Sequence, residues 1–257
     1  MALHPQLSRS PYTQLDPAHR WFPADEALRS TGYERLLPPL VAKVRKEVHA
    51  WRASGYAGAS ATSLALLQWW FERDHLVQRA DGSSEVFRWY FSQREAVESV
   101  IWLHDVRRAR DKLDLMRFDA SGAVSAGMFP EDWPRYVVKM ATGAGKTKVL
   151  SLLIAWSYFH KVYEPESTLA RNFLLIAPNI IVLDRLRADF DGLRIFFQDP
   201  VCPTTAGPRE TGGMTSSAPC TCKTMCASAG SLATCFSPTS TASTWAKCLN
   251  RRWTTTT

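Results

Sequence analysis

With 257 residues, 46% of them hydrophobic and 21% charged, the chain has the make-up of an ordinary globular protein, in one large domain or two small ones, which excludes disorder along its whole length. No apolar run reaches the roughly 18 residues of a membrane span. The start, Met1 to Pro11, lacks the basic and apolar regions of a secretion signal, so no membrane partner is expected and the cytoplasm is the expected location. A net charge of +7 suits a nucleic-acid partner without requiring one.

Met1 to about Arg35 is rich in Pro and aromatic residues and is read as an extended arm with short turns. From Pro38 to Ser54, Leu40, Val41, Val44, Val48 and Trp51 recur at three- and four-residue steps, which predicts a helix with a basic outer face. A second helix follows, capped by Ser60 or Thr62 and carrying Leu64, Leu66, Leu67, Trp69, Trp70 and Phe71. Asp81-Gly82-Ser83-Ser84 is a turn, and Phe87 to Arg110 returns to helical spacing with Val97, Val100, Ile101 and His104 on one side.

Gly122 to Pro134 is a loop, after which Tyr136 to Met140 has the pattern of a short buried strand. The order then becomes strand, glycine loop, helix from 146 to about 161, and strand from Phe173 to Ala177, the grammar of a parallel βαβ unit. Pro178 closes that strand, Asn179 caps a helix to Phe190, and Leu193 to Phe197 is read as a third strand.

Met140-Ala141-Thr142-Gly143-Ala144-Gly145-Lys146-Thr147 ends in the Gly-Lys-Thr of a phosphate-binding loop and lies between a predicted strand and a predicted helix, the context that motif requires. Glycines let successive backbone N–H groups turn toward phosphate oxygens, and the helix adds its positive end. In this reading Thr142, Gly143, Ala144 and Gly145 form the cradle, Lys146 reaches the β and γ phosphates of ATP, and the Thr147 hydroxyl holds Mg²⁺. The strict pattern would place a glycine where this chain has Met140.

Thr142-Gly143 ahead of Gly145-Lys146-Thr147 is similar to motif I of superfamily 2 helicases, in the form seen in restriction translocases. Phe91-Ser92-Gln93-Arg94-Glu95 resembles the segment through which such motors contact adenine, and the Gln93 amide offers both a donor and an acceptor to adenine N6 and N7. Phe173 to Leu186 resembles helicase motif Ia, which in the family touches the DNA backbone; here the Asn179 helix start and Arg185 or Arg187 would serve. From about Trp21 to Pro200 the chain resembles the N-terminal part of a type III restriction enzyme Res subunit, or a close DEAD/DEAH-type relative. Tyr56-Ala57-Gly58-Ala59-Ser60, Ser92-Gln93-Arg94-Glu95-Ala96-Val97-Glu98 and Ala155-Trp156-Ser157-Tyr158-Phe159-His160-Lys161 carry that likeness.

The resemblance implies an α/β fold: an incomplete RecA-like P-loop NTPase domain with a parallel sheet over residues 86–200, preceded by a mainly helical region over 1–85. It also implies ATP and Mg²⁺ as cofactors, double-stranded DNA as a partner and a modification methyltransferase subunit as a second one. The family hydrolyses ATP with a Walker B carboxylate pair and arginines from a second RecA-like domain, neither of which is identifiable here. ATP binding without measurable hydrolysis is therefore expected. An unrelated P-loop enzyme such as a small-molecule kinase is the alternative, and a non-functional product without a stable fold is another.

Beyond Pro200 the composition breaks: 21 of the 57 residues from Val201 to Thr257 are Ser or Thr, Ile is absent, and all six cysteines of the chain fall there. The segment 201–257 is read as a disordered tail produced by a one-nucleotide frameshift near Val201 or Cys202. In the frame one base back, a consistent choice of synonymous codons yields strand-like stretches such as NLFLTNIHRVYL. Cys220, Cys222 and Cys226 lack zinc-finger spacing and partner histidines, so no metal is assigned to them.

Overall fold

Val44, Val48 and Trp51 fall on one stripe of a 3.6-residue repeat, and that stripe is buried in a helix over Val41–Ala53, here α1. The computed structural model describes residues 10–17, 38–78, 81–119, 121–122, 124–125, 127, 136–190 and 193–203. Helix α1 ends as the αL rule requires, with Gly55 at φ +71°. The Gly55 N–H donates to the Arg52 carbonyl, the Tyr56 N–H reaches back to Trp51, and the Trp51 and Tyr56 rings meet edge-on with centroids 4.9 Å apart. Helix α2 covers Ala61–Glu72. Ser60 caps it, its Oγ accepting from the Ser63 N–H at 3.2 Å, and Leu66, Leu67 and Trp70 are its buried face.

An antiparallel hairpin comes next, His75–Gln78 (β1) with Ser84–Phe87 (β2), in a register that sets His75 opposite Phe87. Asp81 accepts from both the N–H and the hydroxyl of Ser83, bonds that hold its carboxyl below the usual carboxylate range. The turn at 81–84 was legible, but the helix predicted from Phe87 begins only at Phe91, because Phe87 pairs in β2. Helix α3, Phe91–Ile101, packs on α1 and α2 and runs on as a π-helical turn over Trp102–Val106. Val97, Val100, Ile101 and His104 are all buried, as their spacing predicts.

A short helix α4, Lys112–Met116, is capped by Asp111, whose side chain accepts from the Asp114 N–H at 2.8 Å. Helix α5 covers Lys146–Tyr163 and is apolar on nearly every side between Ser151 and His160, as befits a buried helix. The chain after it is tied back by Ser157 Oγ donating to the Ala170 carbonyl at 2.9 Å and by a 2.7 Å bond between His160 Nδ1 and Ser167 Oγ. Helix α6, Ile180–Phe190, starts at Asn179, whose Oδ1 accepts from the Val182 N–H at 3.0 Å. It packs against a helical turn α7, Arg194–Gln198, and Val201 and Cys202 are buried beyond that turn.

The expected parallel sheet is absent among the described residues, where the hairpin is the one sheet. Tyr136–Met140 has no strand partner among the described residues, and Val137 is 88% exposed. Phe173–Ala177 keeps the alternating burial of a strand, with Leu174 and Ile176 exposed, yet makes no ladder. A parallel strand needs neighbours to satisfy its backbone, and strand composition alone does not supply them. Leu193–Phe197, read as a strand, is helical instead: Leu193 at φ +62° opens α7, with Ile195 and Phe196 buried side by side. Five apolar residues in a row cannot by themselves distinguish a strand from a turn of buried helix.

The packing resolves into two units, one from residues 1–72 and 88–149, the other from 73–87 and 150–257. No helix among the described residues is long and apolar enough to cross a membrane. The frameshift and the cysteine pattern at 220–226 fall on residues outside those described, apart from Val201 and Cys202.

Candidate functional site

The glycine loop hangs between an anchored extended segment and the first turn of α5. The anchor is Tyr136, whose hydroxyl donates to the Ala109 carbonyl at 2.8 Å; burial raises the pKa of this phenol, so it stays a neutral donor. From Ala141 the backbone turns, the Ala144 N–H reaching the Ala141 carbonyl at 3.3 Å. Gly143 and Gly145 take φ of +81° and +76°, the left-handed region where a side chain is strained. At Gly145 the Lys148 and Val149 N–H groups donate to one carbonyl, starting α5 with the first amides of the helix directed toward the loop.

Lys146 is exposed and bends back over the loop, its Nζ donating to the carbonyls of Met140 at 3.3 Å and Ala141 at 2.9 Å. The ammonium is thereby held at the mouth of the turn. Thr142 and Gly143 are exposed at the crest, while Ala144, Gly145 and Thr147 are partly covered.

Gln93 closes the loop from the other side. Its Nε2 donates to the Ala144 carbonyl at 3.1 Å, and its Oε1 accepts from the Tyr90 N–H at 2.9 Å, the side-chain half of a capping box at the head of α3. The residue is buried, and a Cβ added at Gly145 would collide with its Nε2. An amide has two N–H groups and two lone pairs, and these two bonds use one of each. The structure thus gathers Gln93 and the loop, fifty residues apart in sequence, into one place.

Two neighbours of this site carried no signal in the sequence. The N-terminal arm reaches it at Pro11, whose carbonyl accepts from the Phe91 N–H at 2.8 Å, and at Tyr12, whose ring lies 5.4 Å from that of Tyr90. Beneath Gln93 lies a buried polar cluster around Glu98, which accepts from the Tyr56 hydroxyl at 2.7 Å, Arg94 Nε at 2.8 Å and Arg52 Nε at 2.9 Å. Tyr56 and Glu98 belong to two of the phrases quoted for the resemblance, and the fold brings them into contact.

The donor set suits a polyphosphate: a cation on a short tether, a helix start, and a turn with a glycine at a point where any side chain would strike Gln93. For Mg²⁺ the same loop offers the Thr147 hydroxyl. Arg185 and Arg187 are exposed on α6, Arg187 lying 3.7 Å from Asp184.

Residues 87–213 match the family model of the type III restriction enzyme, res subunit, a span that contains Gln93, the whole loop and the motif Ia-like segment. No curated protein and no solved structure matches the chain.

Proposed function

We propose, from the match of residues 87–213 to the family model of the type III restriction enzyme, res subunit, that the loop 140–147 binds ATP–Mg²⁺ as part of an ATP-dependent DNA helicase or translocase of a restriction system. The observation that carries the reading is the juxtaposition of Lys146, two left-handed glycines and the buried Gln93 amide at the start of an 18-residue helix. Bound nucleotide supplies the phosphoryl group whose transfer to water releases the driving energy in this family. The chain's own residues do the holding: backbone amides and Lys146 bind oxygen, Thr147 offers a metal ligand, and Gln93 keeps a donor and an acceptor for the base.

Lys146 supplies the charge. When phosphate oxygens replace the carbonyls of Met140 and Ala141 as its partners, a neutral acceptor is exchanged for an ionised one, and charge-assisted bonds are about twice as strong. Lys146→Ala is therefore expected to weaken ATP binding by about ten- to a hundredfold, the worth of one hydrogen bond to a charged group. Equilibrium titration with a fluorescent ATP analogue measures it, and equal affinity in the two proteins would remove the loop from the site. Duplex DNA is the proposed macromolecular partner, with Arg185 and Arg187 of α6 as the backbone contacts, a role that rests on the family likeness.

A further inference from the structure

We propose that the buried cluster of Glu98, Arg52, Arg94 and Tyr56 is a positioning device for the phosphate loop, acting through Gln93; the inference rests on the reading of that loop as the nucleotide site. Four observations lead to it. Glu98 is fully buried on α3, and each of its hydrogen bonds goes to a different direction of the fold. Arg52 of α1 donates through Nε at 3.0 and 2.9 Å and through Nη2, the Tyr56 hydroxyl donates at 2.7 Å, and Arg94 donates from one helical turn back at 2.8 Å.

Arg94 then carries the connection onward. Its Nη2 reaches the Tyr56 hydroxyl at 2.8 Å and the Glu72 carboxylate at the end of α2, and its guanidinium lies 5.3 Å from the centre of the Phe71 ring. Helix α3 is therefore held on α1, on α2 and on the turn between them by oriented bonds. Arg52 adds a second hold by stacking 5.1 Å from the centre of the Phe91 ring, in the first turn of α3.

Tyr56 is itself held at both its backbone and its hydroxyl. Its backbone sits at φ +65°, in the left-handed region, held by its bond to the Trp51 carbonyl, and the indole N–H of Trp51 donates to the Ala57 carbonyl at 2.9 Å. Burial and the adjacent Glu98 raise the phenol pKa far above its ordinary value, so the hydroxyl remains a donor at any working pH.

Finally, the residue next to Arg94 is Gln93, whose amide holds Ala144. A buried ionic cluster is a poor device for stability, because apolar packing of the same volume does as well or better. Its distinctive property is direction. Here the direction set is that of the first turn of α3, from which Gln93 grips the loop.

The test reads the loop without nucleotide. Hydrogen exchange at the Ala144, Lys148 and Val149 amides, whose bonds define the turn, is compared in the full chain, in Tyr56→Phe, in Gln93→Ala and in the double variant. The proposal expects each single change to speed exchange about five-fold, the worth of one hydrogen bond. It expects the double variant to be no faster than Gln93→Ala alone, because the cluster acts through that side chain. Glu98→Gln, which keeps the shape but leaves Arg52 and Arg94 without their shared carboxylate, should speed exchange more than Tyr56→Phe does, and unchanged exchange in it would count against the proposal even if Tyr56→Phe folds poorly. Additive effects in the double variant, or unchanged exchange in both cluster variants, would overturn it. A wild-type chain that binds no ATP would overturn the function reading instead, and the exchange result would stand apart from it.

Discussion

At Gly145 a φ of +76° coincides with a neighbour, Gln93 Nε2, that occupies the space a β-carbon would need. Either condition alone would favour glycine; together they leave no route for relaxation except breaking the bond from Gln93 to Ala144. Gly143 differs, since its φ of +81° demands glycine but the space around it is open. Gly145→Ala is accordingly expected to cost more than the roughly 1 kcal/mol of a left-handed alanine and to weaken ATP binding at least about tenfold. Thermal unfolding and nucleotide titration of the same variant check both halves. Stability and affinity equal to those of the wild type would mean that Gln93 does not press on the loop.

Among the elements, α6 shows how a local signal survives without its neighbours. Asn179 was expected to cap it, and its Oδ1 does accept from the Val182 N–H. Asn179→Ala should lower stability by about 1 kcal/mol, read as a shift in the urea midpoint with an unchanged slope. A midpoint that does not move would show the helix start to be held by other contacts. Caps, turns and helices of this kind were legible because their causes lie within a few residues: Ser60 ahead of α2, Asp81 with Ser83, the apolar stripe of α1. The glycine turn ahead of α5 was legible for the same reason, its residues being consecutive. The sheet was over-read, because Tyr136–Met140 and Phe173–Ala177 have strand composition but a strand is made by its partners. The hairpin at 75–87 was missed, its four-residue strands being too short to establish a period of two. The Glu98 cluster was invisible because Arg52, Tyr56, Glu72 and Arg94 meet only after three helices have packed.

For the whole molecule, apolar residues are divided unevenly. Leu66, Leu67, Trp70, Ile101, Leu152 and Phe159 are fully buried, whereas Val137, Leu174, Ile176, Ile180 and Ile181 stand in solvent on or beside the segments of strand composition. The fully buried residues thus lie on helices, and the extended segments carry the apolar surface a parallel sheet would otherwise bury. The proposed nucleotide binding therefore draws on the loop and on Gln93 at the head of α3. Hydrogen exchange of the full chain with and without ATP–Mg²⁺ tests that claim most directly. Protection on adding nucleotide should centre on residues 143–147 and extend to the head of α3 around Gln93. Protection that leaves both segments untouched, or none at saturating nucleotide, would contradict it.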